Sequence, residues 1–163
     1  MNNTIKNNLI VSTLSSSSML QTDQAPASFW ITHPTNDIVG NHAAGSDYYG
    51  MIYQTGDQTD WPSDMCTSGS PLGLFTDNVI HSNQQFGLRI IQLISATYPC
   101  APLQNYSNPD DIWVDANNPS IPSVFHNSTI YKNKGEGVWA EEVGQLIINN
   151  FTVADNEVAG MEF

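Results

Sequence analysis

The chain has 163 residues, one domain's worth, and its 40% hydrophobic and 12% charged content argues against both disorder and a membrane-spanning bundle. A formal net charge of −12, with only four lysines and arginines, argues against nucleic acid, because replacing phosphate counterions takes basic side chains. The same charge disfavours docking on anionic lipid. It also disfavours a polyanionic polysaccharide unless basic residues cluster or a cation such as Ca²⁺ mediates, and no motif supplies calcium ligands.

In chain order, Met1–Lys6 lacks the basic lead and apolar stretch of a signal peptide. Ile5, Asn7 and Ile10 open a repeat that Phe29, Trp30 and Ile31 complete after a Ser/Thr/Gln-rich insertion over 12–28. A second copy, anchored on Gly50, places Ile38, Gly40, Ala43, Ser46 and Met51 in successive slots. A third, anchored on Gly87, places Phe75, Asp77, Ile80, Asn83 and Leu88 in the same slots. Long insertions rich in Pro, Ser and Asp follow these two copies, over 54–71 and 92–122. Two copies close the chain, the last of them bare: Val124–Ala140 registers on Ile147–Phe163 without a gap, at an offset of 23 residues.

Short β-type runs recurring at a period in the low twenties, punctuated by Asn and Gly, mark a solenoid. The expected fold is all-β: one right-handed parallel β-helix over 1–163, with five coils at roughly 5–31, 38–53, 75–90, 125–140 and 148–163. Only Glu141–Asn149 could be misread as a helix, and the repeat assigns it to the coil. The chain ends inside a strand, at Gly160–Phe163, which predicts an internal piece of a longer protein or a truncated gene model.

The slots predict which side chains point inward: Phe125, Asn127, Ile130, Val138 and Ala140. Asp77, Asn127 and Asn150 share one slot on successive coils. They are expected either to form a hydrogen-bonded ladder up the solenoid or simply to supply turns. Glycine in the anchor slot provides positive φ or a close backbone approach.

The segments FWITHPTNDIVGNHAAGS, PLGLFTDNVIHSN, FGLRI and IYKNKGEGVWA, in that order, closely resemble the right-handed β-helix region of the fibrocystin-L group. That region is shared with the cell-migration-inducing and transmembrane cell-surface hyaluronidases; PLGLF and FGLRI bring the chain nearer to fibrocystin-L. The resemblance covers nearly the whole chain. It implies an extracellular or cell-surface module of a large, membrane-tethered and sometimes ciliary protein, with the remaining domains of that protein as partners. It carries over no catalytic residue.

With an extracellular family in view, Cys66 and Cys100, which leave the same corner of neighbouring coils, are expected to form a disulfide. Two reduced thiols in separate loops are the alternative. Such a bond would stabilise by about 3–4 kcal/mol in the chain-entropy estimate. Sequons occur at Asn2, Asn105, Asn127 and Asn150. Asn105 is the expected glycan site if the protein is secreted, whereas Asn127 and Asn150, in the ladder slot, are expected to be bare.

Catalytic chemistry has weak support. His33, His42, His81 and His126 fall on different slots, which predicts no metal site along one face. Asp110, Asp111 and Trp113, with Asp115, form the densest acidic-aromatic patch, and Asp57, Asp60 and Trp61 form a second. The two patches would line a shared cleft or lie in solvated loops. Ile52, Arg89, Trp139 and Glu162 share an outward slot, so Trp139 and Arg89 would either present a flat face for sugar stacking, if their coils are adjacent, or, as is commoner for a surface tryptophan, be covered by a loop. Two functions are in view. One is a non-catalytic scaffold or glycan-binding module of a large surface protein; the other is a fragment of a polysaccharide-degrading, hyaluronidase-like enzyme.

Overall fold

The computed structural model describes residues 3–17, 24–55, 67, 70–93 and 121–163. Fifteen strands are found among these: β1 (Thr4–Lys6), β2 (Leu9–Val11), β3 (Ala27–Ile31), β4 (Asp37–Val39), β5 (His42–Ala44), β6 (Tyr49–Gln54), β7 (Phe75–Thr76), β8 (Val79–His81), β9 (Phe86–Ile91), β10 (Ser123–His126), β11 (Thr129–Tyr131), β12 (Val138–Glu141), β13 (Leu146–Asn149), β14 (Thr152–Ala154) and β15 (Met161–Glu162). They form three five-stranded sheets, ordered β1-β4-β7-β10-β13, β2-β5-β8-β11-β14 and β3-β6-β9-β12-β15. Every pairing is parallel and every third strand in sequence returns to the same sheet, so the chain is a right-handed parallel β-helix of five coils.

The repeat is the register. Phe125 pairs with Ile148, Ile130 with Val153 and Val138 with Met161, the offset of 23 seen in the sequence. Glu141–Asn149 contains the strand β13, not a helix. One hydrophobic core runs up the axis through Ile38, Phe75 and Phe125 on one wall, Ala43, Ile80 and Ile130 on the second, and Met51, Leu88 and Val138 on the third. All nine are fully buried, as expected of parallel strands whose inner faces stack rung on rung. The Phe75 and Phe125 rings lie 4.9 Å apart, and Tyr53 meets Phe125 edge-on at 5.4 Å.

Two corners follow one rule. At the first, Asn7, Gly40, Asp77, Asn127 and Asn150 all adopt left-handed backbone, with φ between 44° and 62°. At the second, Ser12, Gly45, Ser82, Lys132 and Asp155 do the same. Short Asn and Asp tolerate this region better than other non-glycine residues, which explains the first column's composition.

Where the residue after a left-handed corner is Asn or Ser, it ties its coil to the next. Asn41 Oδ1 accepts from the Asn8 backbone N–H at 3.0 Å and the Asn8 amide at 2.9 Å. Asn78 Oδ1 accepts from the Asn41 N–H at 2.9 Å. At the second corner, Asn83 Oδ1 accepts from the Ser46 N–H, Asn133 Oδ1 from Asn83, and Asn156 Oδ1 from Asn133. Asn41, Asn78, Asn83 and Asn133 are buried, so these bonds satisfy polar groups that water cannot reach.

This corrects one expectation. Asn127 is exposed rather than inward-pointing, and so are Asp77 and Asn150. The buried ladder lies one residue downstream, at Asn41, Asn78 and Ser128, because the left-handed turn reverses the side chain that follows it. The exposed column does carry one bond, from Asn150 Nδ2 to Asn127 Oδ1 at 2.8 Å.

Glycine in the anchor slot serves close approach. A Cβ on Gly87 would lie 2.5 Å from the carbonyl oxygen of Gly137 and 2.5 Å from Ile130 Cγ2, with Asn133 Nδ2 at 2.8 Å. The second Asn ladder thus packs directly over the glycine column.

Candidate functional site

The outer face of the β3-β6-β9-β12-β15 sheet carries the densest surface chemistry among the described residues. Strand alternation sends Ile52 outward from β6, Arg89 from β9, and Trp139 and Glu141 from β12, while Tyr49 and Phe86, each just ahead of an anchor glycine where the alternation breaks, join them on the outside. Parallel register then sets Tyr49 beside Phe86, and Ile52, Arg89 and Trp139 in one row. Tyr49, Ile52 and Phe86 form a second, external hydrophobic cluster, with Tyr48, Ala25, Ala27, Ile91 and Trp139 packed around it.

Arg89 is clamped at the centre of this face. Its guanidinium carbon lies 3.9 Å from the centroid of the Trp139 ring, 5.4 Å from Phe86 and 5.7 Å from Tyr49. Nη1 donates to the Tyr49 hydroxyl at 3.0 Å, and Nη2 donates to Glu141 Oε2 at 2.9 Å. Burial pushes the Tyr49 hydroxyl pKa up, and the neighbouring guanidinium pulls against that shift.

Trp139 and Arg89 therefore do not present the flat open face expected from the sequence. Arginine lies over the indole and covers it, because both occupy the same slot on adjacent rungs. Ile52, in the same row, is buried. Among the described residues of this face, Trp30 is the aromatic left open, at 46% exposure.

A second grouping lies on the outer face of the β2-β5-β8-β11-β14 sheet. His42 and His81 approach with ring centroids 4.9 Å apart, and His81 stacks on Tyr131 at 4.6 Å. The four histidines fall on different slots, yet two of them meet diagonally, because both point outward from adjacent parallel strands. His81 Nδ1 and Ser82 Oγ are 2.8 Å apart, and His42 Nε2 is buried without a partner among the described residues. Burial first, then His42 and Lys132, hold the His81 pKa below its ordinary value. His33 lies elsewhere, its Nδ1 3.0 Å from Thr35 Oγ1, and His126 is on β10.

Among the described residues, no group of three or more His, Cys, Asp or Glu side chains converges as a metal site, and no helix is long and apolar enough to cross a membrane. Asp110, Asp111, Trp113, Asp115, Asp57, Asp60, Trp61, Cys66, Cys100, Asn105 and Asn2 lie outside the described residues. Sequence reasoning missed the aromatic box around Arg89. The signal was present, since Tyr49 and Phe86 each immediately precede an anchor glycine.

Residues 1–88 match the protein family described as CEMIP beta-helix. Fibrocystin-L of Mus musculus is 32% identical over 163 residues, which takes in 98% of this chain and 4% of the relative's length. Cell surface hyaluronidase of Danio rerio is 31% identical over 141 residues, 78% of this chain and 10% of that protein. Cell surface hyaluronidase CEMIP2 of Homo sapiens is 30% identical over 155 residues, 85% of this chain and 11% of that protein. The chain thus spans a small fraction of each of these relatives.

Proposed function

We propose, from the premise that this chain belongs to the CEMIP beta-helix family, that it is a non-catalytic, extracellular scaffold module of a large fibrocystin-L-like surface protein. The observation that carries this reading is the commitment of the most elaborate surface site to internal bonding. Arg89 and Glu141, the charged pair on the aromatic face, are engaged with each other, and the guanidinium is also held by Tyr49 and Trp139. A side chain anchored on several sides stiffens the rod and holds little in reserve for chemistry. The corner ladders act in the same direction, since they bond the second rung to the third and the third to the fourth at both corners, and tie on the first and the fifth rung at one corner each. In this reading the module spaces or presents other domains of its parent chain, which stands at the cell surface and in some settings on cilia.

Three finer features belong to the same proposal. Cys66 and Cys100 pair as a disulfide, Asn105 carries a glycan, and any glycan docking uses Trp30 in preference to the covered Trp139. The second reading is a fragment of a polysaccharide-degrading enzyme, and it rests on relatives named as hyaluronidases. The intact parent protein, assayed for depolymerisation on a panel of glycans including hyaluronan, separates the two. The scaffold reading expects no cleavage traceable to this module. Cleavage abolished by Asp110→Asn or Asp111→Asn, with folding retained, would overturn it.

A further inference from the structure

The exposed corner column changes the status of two sequons. Asn127-Ser128-Thr129 and Asn150-Phe151-Thr152 both fit the acceptor pattern, with threonine in the third position. Both asparagines stand on the surface of a tight left-handed turn, with φ of 44° and 55°. Oligosaccharide transfer acts on the chain before it folds, so the finished fold decides whether the sugar can be retained. Retention requires an outward amide that the fold does not need, with free space beside it.

Asn127 meets those requirements. Its backbone N–H is already bonded to the Asn149 carbonyl at 3.0 Å, and its Oδ1 accepts from Asn150 Nδ2 at 2.8 Å. Its own Nδ2 donates no hydrogen bond to any described residue. The neighbouring rungs place Asp77 and Asn150 in the same slot, both short side chains, so among the described residues no long side chain of that column overhangs the corner. Asn150 is less free, because its Nδ2 is the donor to Asn127.

We propose that Asn127 is an N-glycosylation site, with the sugar projecting from the exposed first corner of the fourth coil. The proposal rests on the extracellular reading above. In the transfer, a lipid-pyrophosphate-linked oligosaccharide is the donor. A bond forms between Asn127 Nδ2 and the sugar anomeric carbon, while the bond from that carbon to the phosphate oxygen breaks. The lipid pyrophosphate leaves with the electron pair, and one Nδ2 proton is released. Oδ1 is untouched and keeps the bond from Asn150.

The test directs the 163-residue chain into the secretory pathway of eukaryotic cells behind a cleavable leader. Site-resolved glycopeptide mass spectrometry is then applied to the secreted and the cell-retained fractions. The expected result is majority occupancy of Asn127 in secreted, folded material. Thr129→Ala removes that occupancy while keeping the asparagine that the left-handed turn favours, and leaves any glycan at Asn105 in place. Asn127 bare in both fractions, while a sequon appended at the C-terminus is modified, overturns the proposal. Occupancy confined to retained, misfolded chain overturns it as well, because the fold then rejects the sugar. The natural parent protein from its own cells is the separate arm. If Asn127 is bare there but occupied in the directed chain, the extracellular reading fails and the site assignment stands.

Discussion

Asn133 Oδ1 accepts two hydrogen bonds from Asn83, from the amide at 2.8 Å and the backbone N–H at 3.1 Å, although fifty residues separate the two in sequence. Both side chains are fully buried, so loss of the acceptor strands two donors out of reach of water. Asn133→Ala should therefore lower stability by about 2–4 kcal/mol, read from urea unfolding. Asn127→Gly should change it by no more than about 0.5 kcal/mol, because glycine suits the left-handed corner and already occupies it at Gly40. Equal losses from both changes would show that the buried ladder does not hold the rungs together.

The glycine column supplies a sharper contrast. Gly87→Ala drives a methyl into the Gly137 carbonyl and Ile130, and should cost about 3 kcal/mol or prevent folding. At Gly160, on the last rung, the nearest atom to an added Cβ is Val153 Cγ1 at 3.7 Å, an ordinary contact. Gly160→Ala should leave the unfolding midpoint essentially unchanged in parallel denaturation curves.

The Arg89 clamp has two components with different salt responses. Stacking on Trp139 in a partly desolvated setting should give a coupling of about 1–2 kcal/mol in an Arg89→Met, Trp139→Leu double-mutant cycle, nearly independent of salt. The pair with Glu141, whose side chain is 44% exposed, should couple by about 0.2–1 kcal/mol and fade as ionic strength rises. A stacking term that vanished in salt would mean that the indole face is wet.

The His81 imidazole provides the pH prediction. Its folded-state pKa is lowered, so the native state binds fewer protons than the unfolded chain. Its contribution is fully present above the ordinary histidine value of about 6.5 and is lost as pH falls through the lowered one. Below that window, charging His81 sets a cation against His42 and Lys132. The difference in unfolding free energy between the wild type and His81→Gln should therefore shrink on acidification from neutral pH. Subtracting the variant removes the parallel contribution of His33, whose pKa burial also lowers. A constant difference across the range would remove His81 as the source.

The register was readable from the sequence because a solenoid writes each contact twice: Phe125 over Ile148 appears first as an alignment and then as a pair of strands. Asn83, Asn133 and Asn156 fell in one slot by the same logic. What alignment leaves open is direction. Asn127 and Ser128 repeat equally well, and only the backbone sign at the corner decides which side chain enters the core. The Arg89 box was missed for a related reason, although Tyr49 and Phe86 repeat ahead of their glycines. Slots specify which residues share a row, not whether a long side chain extends from the wall or lies along it. The His42–His81 meeting was missed because rows were compared straight across, and the contact is diagonal.

Successive anchor glycines stand 37, 50 and 23 residues apart, yet the Asn83-to-Asn133 and Asn133-to-Asn156 amide bonds measure 2.8 and 2.9 Å. Contour length between coils is thus decoupled from their alignment, and doubling an excursion costs only about 0.6 kcal/mol of closure entropy. The scaffold can accordingly gain, lose or exchange its excursions over evolutionary time without re-solving its own packing. It behaves as a socket for foreign segments, because Asn83 and Asn133 close on each other whatever length of chain joins their coils.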